Sequence, residues 1–425
     1  MASSSMYHVS QLPNGLRVAT AEMPYMASVS LGIWVGVGSR YEPAELNGAC
    51  HFIEHMLFKG TRRRSAEEIS QAVEGVGGYL NAFTSEEMTC FHARAHADRF
   101  DELLDVLADM VLHSKFAPAE LNRERDVIKE EVVMYRDQPQ QHVQEILNAT
   151  LWPDQPLGRS ITGDEKALDA LTRSKLLAYL KKNYLASNTI IVAAGNVSHR
   201  RVVKAASRLS RFFKPGARPG FAPSRNDQSA PRVNLCSRKV EQTQIALGIR
   251  SCSRHDPRRH ALRVLNTLLG ENMSSRLFQV IREEHGLAYS IYSTPSFYED
   301  TGDLVISAGL DTENLSRTLR LIFRELKRFI DTTPTVAELR RARDYTIGQI
   351  DLSLESTENQ MNWLGEQLLG YGRIFQPGDV KRSLRAVSPA DVRAAARDFF
   401  SPDRFNLALV SPLKSDTHFF RLLQF

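Results

Sequence analysis

Two short runs of alternating apolar and polar residues occupy positions 7–20, separated by Pro13-Asn14-Gly15, and together they predict a β-hairpin. Residues 28–37 alternate small or polar with large apolar side chains, as a half-buried strand does. The period then changes. From Gly48 to Gly60, Phe52, Ile53, Met56 and Leu57 recur at helical spacing, which predicts a buried helix entered through Asn47-Gly48. Ser65-Ala-Glu-Glu68 offers a capping box for a second helix ending near Gly75-Val-Gly77-Gly78, and a strand follows from Tyr79. Residues 118–135 open on Pro118, tolerated in a first turn, and continue with good helix formers. A Leu- and Lys-rich helix and a strand over 188–196 complete this half.

Alternating helices and strands point to an α+β fold, a sheet with helices packed on one face. Residues 214–231, rich in Pro, Gly and polar side chains, read as a linker between domains 1–213 and 232–425. The second half echoes the first. Thr243-Gln-Ile-Ala-Leu-Gly-Ile resembles Ser28-Val-Ser-Leu-Gly-Ile, and again a charged loop and an apolar helix (261–269) follow, which predicts a duplicated fold.

Composition narrows the classes. A chain of 425 residues exceeds one ordinary core, so two domains are expected. With 42% hydrophobic and 24% charged residues and no long apolar run, a membrane span is excluded. The net charge of +5 is spread out, without the interleaved aromatics of a single-strand binder, so no nucleic-acid partner is expected. Cys50, Cys90, Cys236 and Cys252 show no paired spacing, as reduced thiols would. The first residues have neither a basic nor an apolar signal region, which suggests a cytoplasmic protein, or a mitochondrial-matrix one whose presequence has been removed.

The chemistry concentrates in the first predicted helix. His51, Glu54 and His55 share one face, three and four residues apart. Two imidazoles at that spacing can grip one metal ion, and a carboxylate beside it can take a proton from water. A lone buried His is more often a hydrogen-bonded core residue, but three desolvated polar groups on one apolar helix all need partners. The order His-x-x-Glu-His is the inverzincin signature. A two-His site needs a further ligand, usually a carboxylate. On the helix opened by Pro118, Glu124 and Glu131 share a face, seven residues apart, while Glu130 is turned off it. Glu131 is therefore the expected third ligand and Glu124 the carboxylate that orients a ligating His.

His51-x-x-Glu54-His55, followed about 75 residues later by Glu131 and preceded there by Glu124-Arg-Asp-Val-Ile, resembles the pitrilysin-type M16 zinc metallopeptidases. The likeness is nearest to the M16B branch, which holds the β subunit of mitochondrial processing peptidase and its bacterial homologues. It implies one Zn2+ per chain on His51, His55 and Glu131, with Glu54 activating water and Glu124 supporting a ligand. It also implies two related α+β domains, the second zinc-free, forming half of a clamshell that encloses unfolded peptide substrates. Tyr79-Leu-Asn81-Ala82-Phe83 resembles the family's edge strand beside the zinc, which implies that Asn81, Ala82 and Phe83 pair with the substrate backbone. The stretch from Met273 to Ser290 resembles the segment whose Arg and Tyr reach the site from the second domain, here Arg282 and Tyr289.

The expected activity is a zinc-dependent endopeptidase. The resemblance further implies a homodimer, with a heterodimer as the alternative. From another class, a non-catalytic scaffold or peptide-binding subunit of an M16-like complex is the rival, and the intact metal set weighs against a scaffold that has lost its zinc ligands. Processing peptidases carry acidic residues beyond the third ligand. Here Gln138, Gln140 and Gln141 stand in that stretch, so a preference for arginine-bearing presequences does not follow.

Overall fold

The computed structural model describes residues 6–423. The predicted hairpin is β1 (Tyr7–Gln11) and β2 (Arg17–Glu22), closed by Gly15 at φ +95°. Next come β3 (Ser28–Val35), α1 (Ala49–Leu57) and α2 (Ala66–Glu74), the last opened by the Ser65–Glu68 capping box. The strands β4 (Tyr79–Thr84) and β5 (Thr89–His96) lead to α3 (Phe100–His113), α4 (Pro118–Asp137) and α5 (Pro139–Leu151). With β6 (Thr189–Gly195) these strands form a six-stranded mixed sheet ordered β1-β2-β6-β3-β5-β4.

The linker is followed by β7 (Arg232–Ser237), β8 (Thr243–Ser251), β9 (Ala288–Phe297), β10 (Gly302–Leu310) and β11 (Phe405–Ser411). Their order is β7-β11-β8-β10-β9. That matches β2-β6-β3-β5-β4 strand for strand, including the one parallel pair in each sheet, β2 with β6 and β7 with β11. Duplication is thus visible in topology. The second-half helix expected over 261–269 is an α-helix only across Arg259–Asn266, and Thr267–Glu271 continue as a π-helical turn.

The linker alone does not separate the compact units. One comprises described residues up to 132 together with 159–222 and 352–374; the other comprises 133–158, 223–351 and the rest. The physical reason is that each sheet has two apolar faces to cover. In the first unit, α1, α2, α3 and α4 contribute to the core on one face, through Phe52, Ile53, Ile69, Leu103 and Ile128 among others. On the opposite face Trp34, Ile190 and Val192 are covered by Met361, Leu364 and Leu368 of the helix Thr357–Gly370, a segment from the second half of the sequence. In the second unit, Val143, Leu147 and Leu151 of α5 cover Ala246, Ala408 and Val410. Each half of the sequence thus lends a helix to the other half's sheet. Among the described residues no helix is long and apolar enough to cross a membrane.

Candidate metal centre

The helix α1 begins at a tightly determined point. Gly48, its N-cap, stands at φ +89°, and a Cβ there would lie 2.7 Å from the Thr162 carbonyl oxygen. Only glycine fits both the left-handed backbone and that approach. The orphan amides of the first turn are met from upstream. Glu42, almost fully buried, accepts the Gly48 N–H at Oε2 (2.8 Å) and the Cys50 N–H at Oε1 (2.7 Å). Burial pushes the Glu42 carboxyl up to about 7, against the lowering pull of the Cys50 and Gly48 amides. Oε2 also accepts Asn47 Nδ2 at 3.3 Å, so both oxygens act as acceptors and an amide cannot replace the carboxylate: in either orientation its NH2 would face an N–H. Glu42→Gln is expected to destabilise the first unit by about 1–3 kcal/mol, the cost of one unsatisfied buried group, as read by urea denaturation.

From that start α1 carries His51, Glu54 and His55 to one side. The His51 and His55 rings lie edge to face with centroids 4.6 Å apart. On α4, Glu131 Oε2 stands 3.6 Å from His51 Nε2 and 3.5 Å from His55 Nε2. The three groups can offer donor atoms within 4.8 Å of one another. Donors around one tetrahedral ion at about 2.0–2.2 Å are themselves about 3.3–3.6 Å apart, and both Glu131–histidine distances match that spacing. These residues could hold a metal.

Glu124 sits one step outward. Its Oε2 bonds His55 Nδ1 at 3.1 Å and its Oε1 takes Lys59 Nζ at 2.7 Å. With Nδ1 held by Glu124, Nε2 is the ring nitrogen turned toward Glu131, the arrangement of a supported metal-binding imidazole. Burial and then the neighbouring His55 hold His51 down to about 4, so its imidazole is neutral. Burial acts to lower His55, but Glu124 and Glu131 outweigh it and take it up to about 9. Burial acts to raise Glu124, yet its bonds to His55 and Lys59 hold it below the usual carboxylate range. Two carboxylates thus draw positive charge into the site, a demand that a cation meets.

Glu54 lies beside this group, and Thr84 Oγ1 donates to its Oε2 at 2.5 Å. Burial raises the Glu54 carboxyl, partly offset by that bond. Thr84 ends β4, the edge strand, which pairs only with β5 among the described residues. Side chains alternate along it: Leu80 and Ala82 pack toward the α1 side, whereas Phe83 packs on the opposite face, its ring 5.5 Å from that of Trp34. Any role of Phe83 in substrate pairing falls to its backbone. The Ala82 N–H is held by Asn81 Oδ1 at 2.9 Å, a local bond that an incoming strand could replace. His92 is buried, facing the rings of Tyr79 and Phe83 across the pair of strands, in a packing role. Cys50 is buried beside the Tyr179 hydroxyl (3.3 Å), away from the metal group.

Arg282 and Tyr289 belong to the second unit. They are neighbours there: the Arg282 guanidinium lies 5.4 Å from the centre of the Tyr289 ring, which is 79% exposed. Arg282 lies in a π-helical turn, Phe278–Glu284, and Tyr289 on the edge strand β9. Sequence reasoning missed Glu42, Lys59 and Thr84. Lys59, one turn beyond His55, carried a helical-spacing signal; Glu42 lies six residues before Gly48, outside any local capping pattern.

The chain is similar to known proteins along nearly its whole length. The family model for insulinase (peptidase family M16) matches residues 17–165, and that for the peptidase M16 inactive domain matches residues 170–345. An uncharacterized zinc protease of Streptomyces coelicolor is 40% identical over 409 residues, covering 95% of this chain and 89% of its own. Another from Bacillus subtilis is 37% identical over 403 residues, covering 94% and 97%. Among solved structures, a protease from Helicobacter pylori aligns with TM-score 0.89 at 21% identity, over 96% of this chain and 99% of its own. A peptidase M16 inactive domain from Pseudomonas fluorescens does so equally at 0.89 and 21%, over 97% and 99%. The two structures speak to the fold. The sequence relatives go further, and on their identity and coverage this chain belongs to the M16 peptidase family.

Proposed function

We propose that this chain is a zinc-dependent endopeptidase that hydrolyses unfolded peptides. The observation that carries the reading is the convergence of His51, His55 and Glu131 beside the Glu54 carboxylate. Zinc held by those three would supply Lewis-acid polarisation to a water and to the scissile carbonyl. Glu54 takes the proton from the attacking water as its oxygen adds to the carbonyl carbon, then returns that proton to the departing amine nitrogen. Glu124 fixes the His55 ring through Nδ1, and Lys59 holds Glu124 in turn.

The substrate backbone pairs with the open edge of β4 at Asn81, Ala82 and Phe83, a mode that favours extended peptides over folded proteins. Arg282 and Tyr289 are assigned to substrate as well, a guanidinium and a phenol that can donate to a peptide carbonyl. The four free thiols, three of them buried, support a reducing compartment such as the cytoplasm. The family resemblance supports a homodimer, and light scattering that gives a strict monomer argues against it.

Cleavage of a quenched, unstructured peptide of a few tens of residues tests the activity. Turnover is expected to vanish with 1,10-phenanthroline and to return when one equivalent of zinc is restored. Chelator-insensitive cleavage defeats the metal reading. No cleavage at full zinc occupancy favours the scaffold or peptide-binding alternative.

A further inference from the structure

We propose that Thr84 is the positioning residue for Glu54, so that the strand that receives the substrate also sets the orientation of the base. The inference rests on the peptidase reading above and names a residue that the metal motif does not contain. Glu54 projects from α1, and its carboxylate can turn broadly about its last torsion unless something holds it. Thr84 holds it. The hydroxyl donates to Oε2 at 2.5 Å, which fixes the plane of the carboxylate and leaves Oε1 to accept the proton of the attacking water.

Placement of Thr84 follows from the strand. Within β4 the alternation puts Leu80, Ala82 and Thr84 on the α1 side and turns Phe83 away. Thr84 is the last residue in register, paired with Thr89, whose own Oγ1 is anchored on the Val37 carbonyl at 2.9 Å. One short, well-braced stretch thus carries both the open edge at residues 81–83 and the hydroxyl that orients the base. A peptide laid along that edge has its carbonyl placed relative to Glu54 by a single element. Catalytic steps fall by about 100-fold for misplacements near 1 Å, so a loose carboxylate is costly even when every metal ligand is intact.

Steady-state cleavage of the quenched peptide by the zinc-loaded full chain, wild type beside Thr84→Val and Thr84→Ser, tests this. Valine keeps the β-branched shape that suits a strand and puts a methyl group, which cannot donate, in place of the hydroxyl. Thr84→Val is expected to lower kcat about 10- to 100-fold with KM within about twofold. Zinc content and the visible spectrum of the cobalt-substituted protein should match wild type, because no ligand has changed. Thr84→Ser should recover most of kcat.

The proposal is overturned if Thr84→Val keeps kcat within about threefold of wild type, if its loss lies in KM, or if serine does no better than valine. Loss of zinc or an altered cobalt spectrum also overturns it, since Thr84 would then be bracing the metal site. If valine does not fold, Thr84→Ala is judged by the same readings, and failure of both to fold assigns Thr84 to the fold instead. Absence of cleavage by the zinc-loaded wild type removes the peptidase reading itself. Normal wild-type cleavage with an unaffected Thr84→Val removes only this inference.

Discussion

Glu54→Gln is expected to bind zinc as wild type does and to lose peptide hydrolysis by at least about 1,000-fold, within the range set by removing a general acid–base. Glutamine keeps the shape and can still accept the Thr84 hydroxyl through its amide oxygen, so the fold of α1 and β4 should survive. What it loses is the ability to take a proton. Because Glu54 stands outside the ligand group, metal content by mass spectrometry should remain at one equivalent per chain. The comparison is clean only if both quantities are measured on the same preparation. Substantial turnover with zinc in place sinks the assignment of Glu54, and loss of zinc makes it a ligand instead.

Glu131→Gln should show the converse pattern, with the metal lost first and activity lost as a consequence. The amide is neutral and a poor donor to a hard or borderline cation, and it no longer offsets the charge of the ion. Affinity should fall by more than the roughly 10- to 100-fold typical of disturbing an outer carboxylate. A direct readout is stabilisation by added zinc. Wild type at a thousandfold excess over its Kd gains about 4 kcal/mol against unfolding, and the variant should gain far less at the same concentration. Glu130→Gln is the control: Glu130 is exposed on the same helix and is not among the grouped donors. Equal zinc stabilisation of wild type and Glu131→Gln removes Glu131 from the ligand set.

Local pattern alone determined a good deal about this protein. His51, Glu54 and His55 lie on one face because helical spacing requires it, and Glu124 and Glu131 share another face for the same reason. The hairpin, the capping box at Ser65–Glu68 and the echo between the strands at 28 and 243 are also short-range signals, written within a few residues of one another. Tertiary structure decided what joins remote segments. It brings Glu131 within 3.6 Å of the two histidines, places Thr84 on Glu54 and Glu42 on the first amides of α1, and packs the helix Thr357–Gly370 over Trp34. None of these follows from periodicity. A threonine at a strand end, a glutamate in a loop and an amphipathic helix are common in any sequence, and their partners are chosen by which apolar faces must be covered and which buried donors need an acceptor.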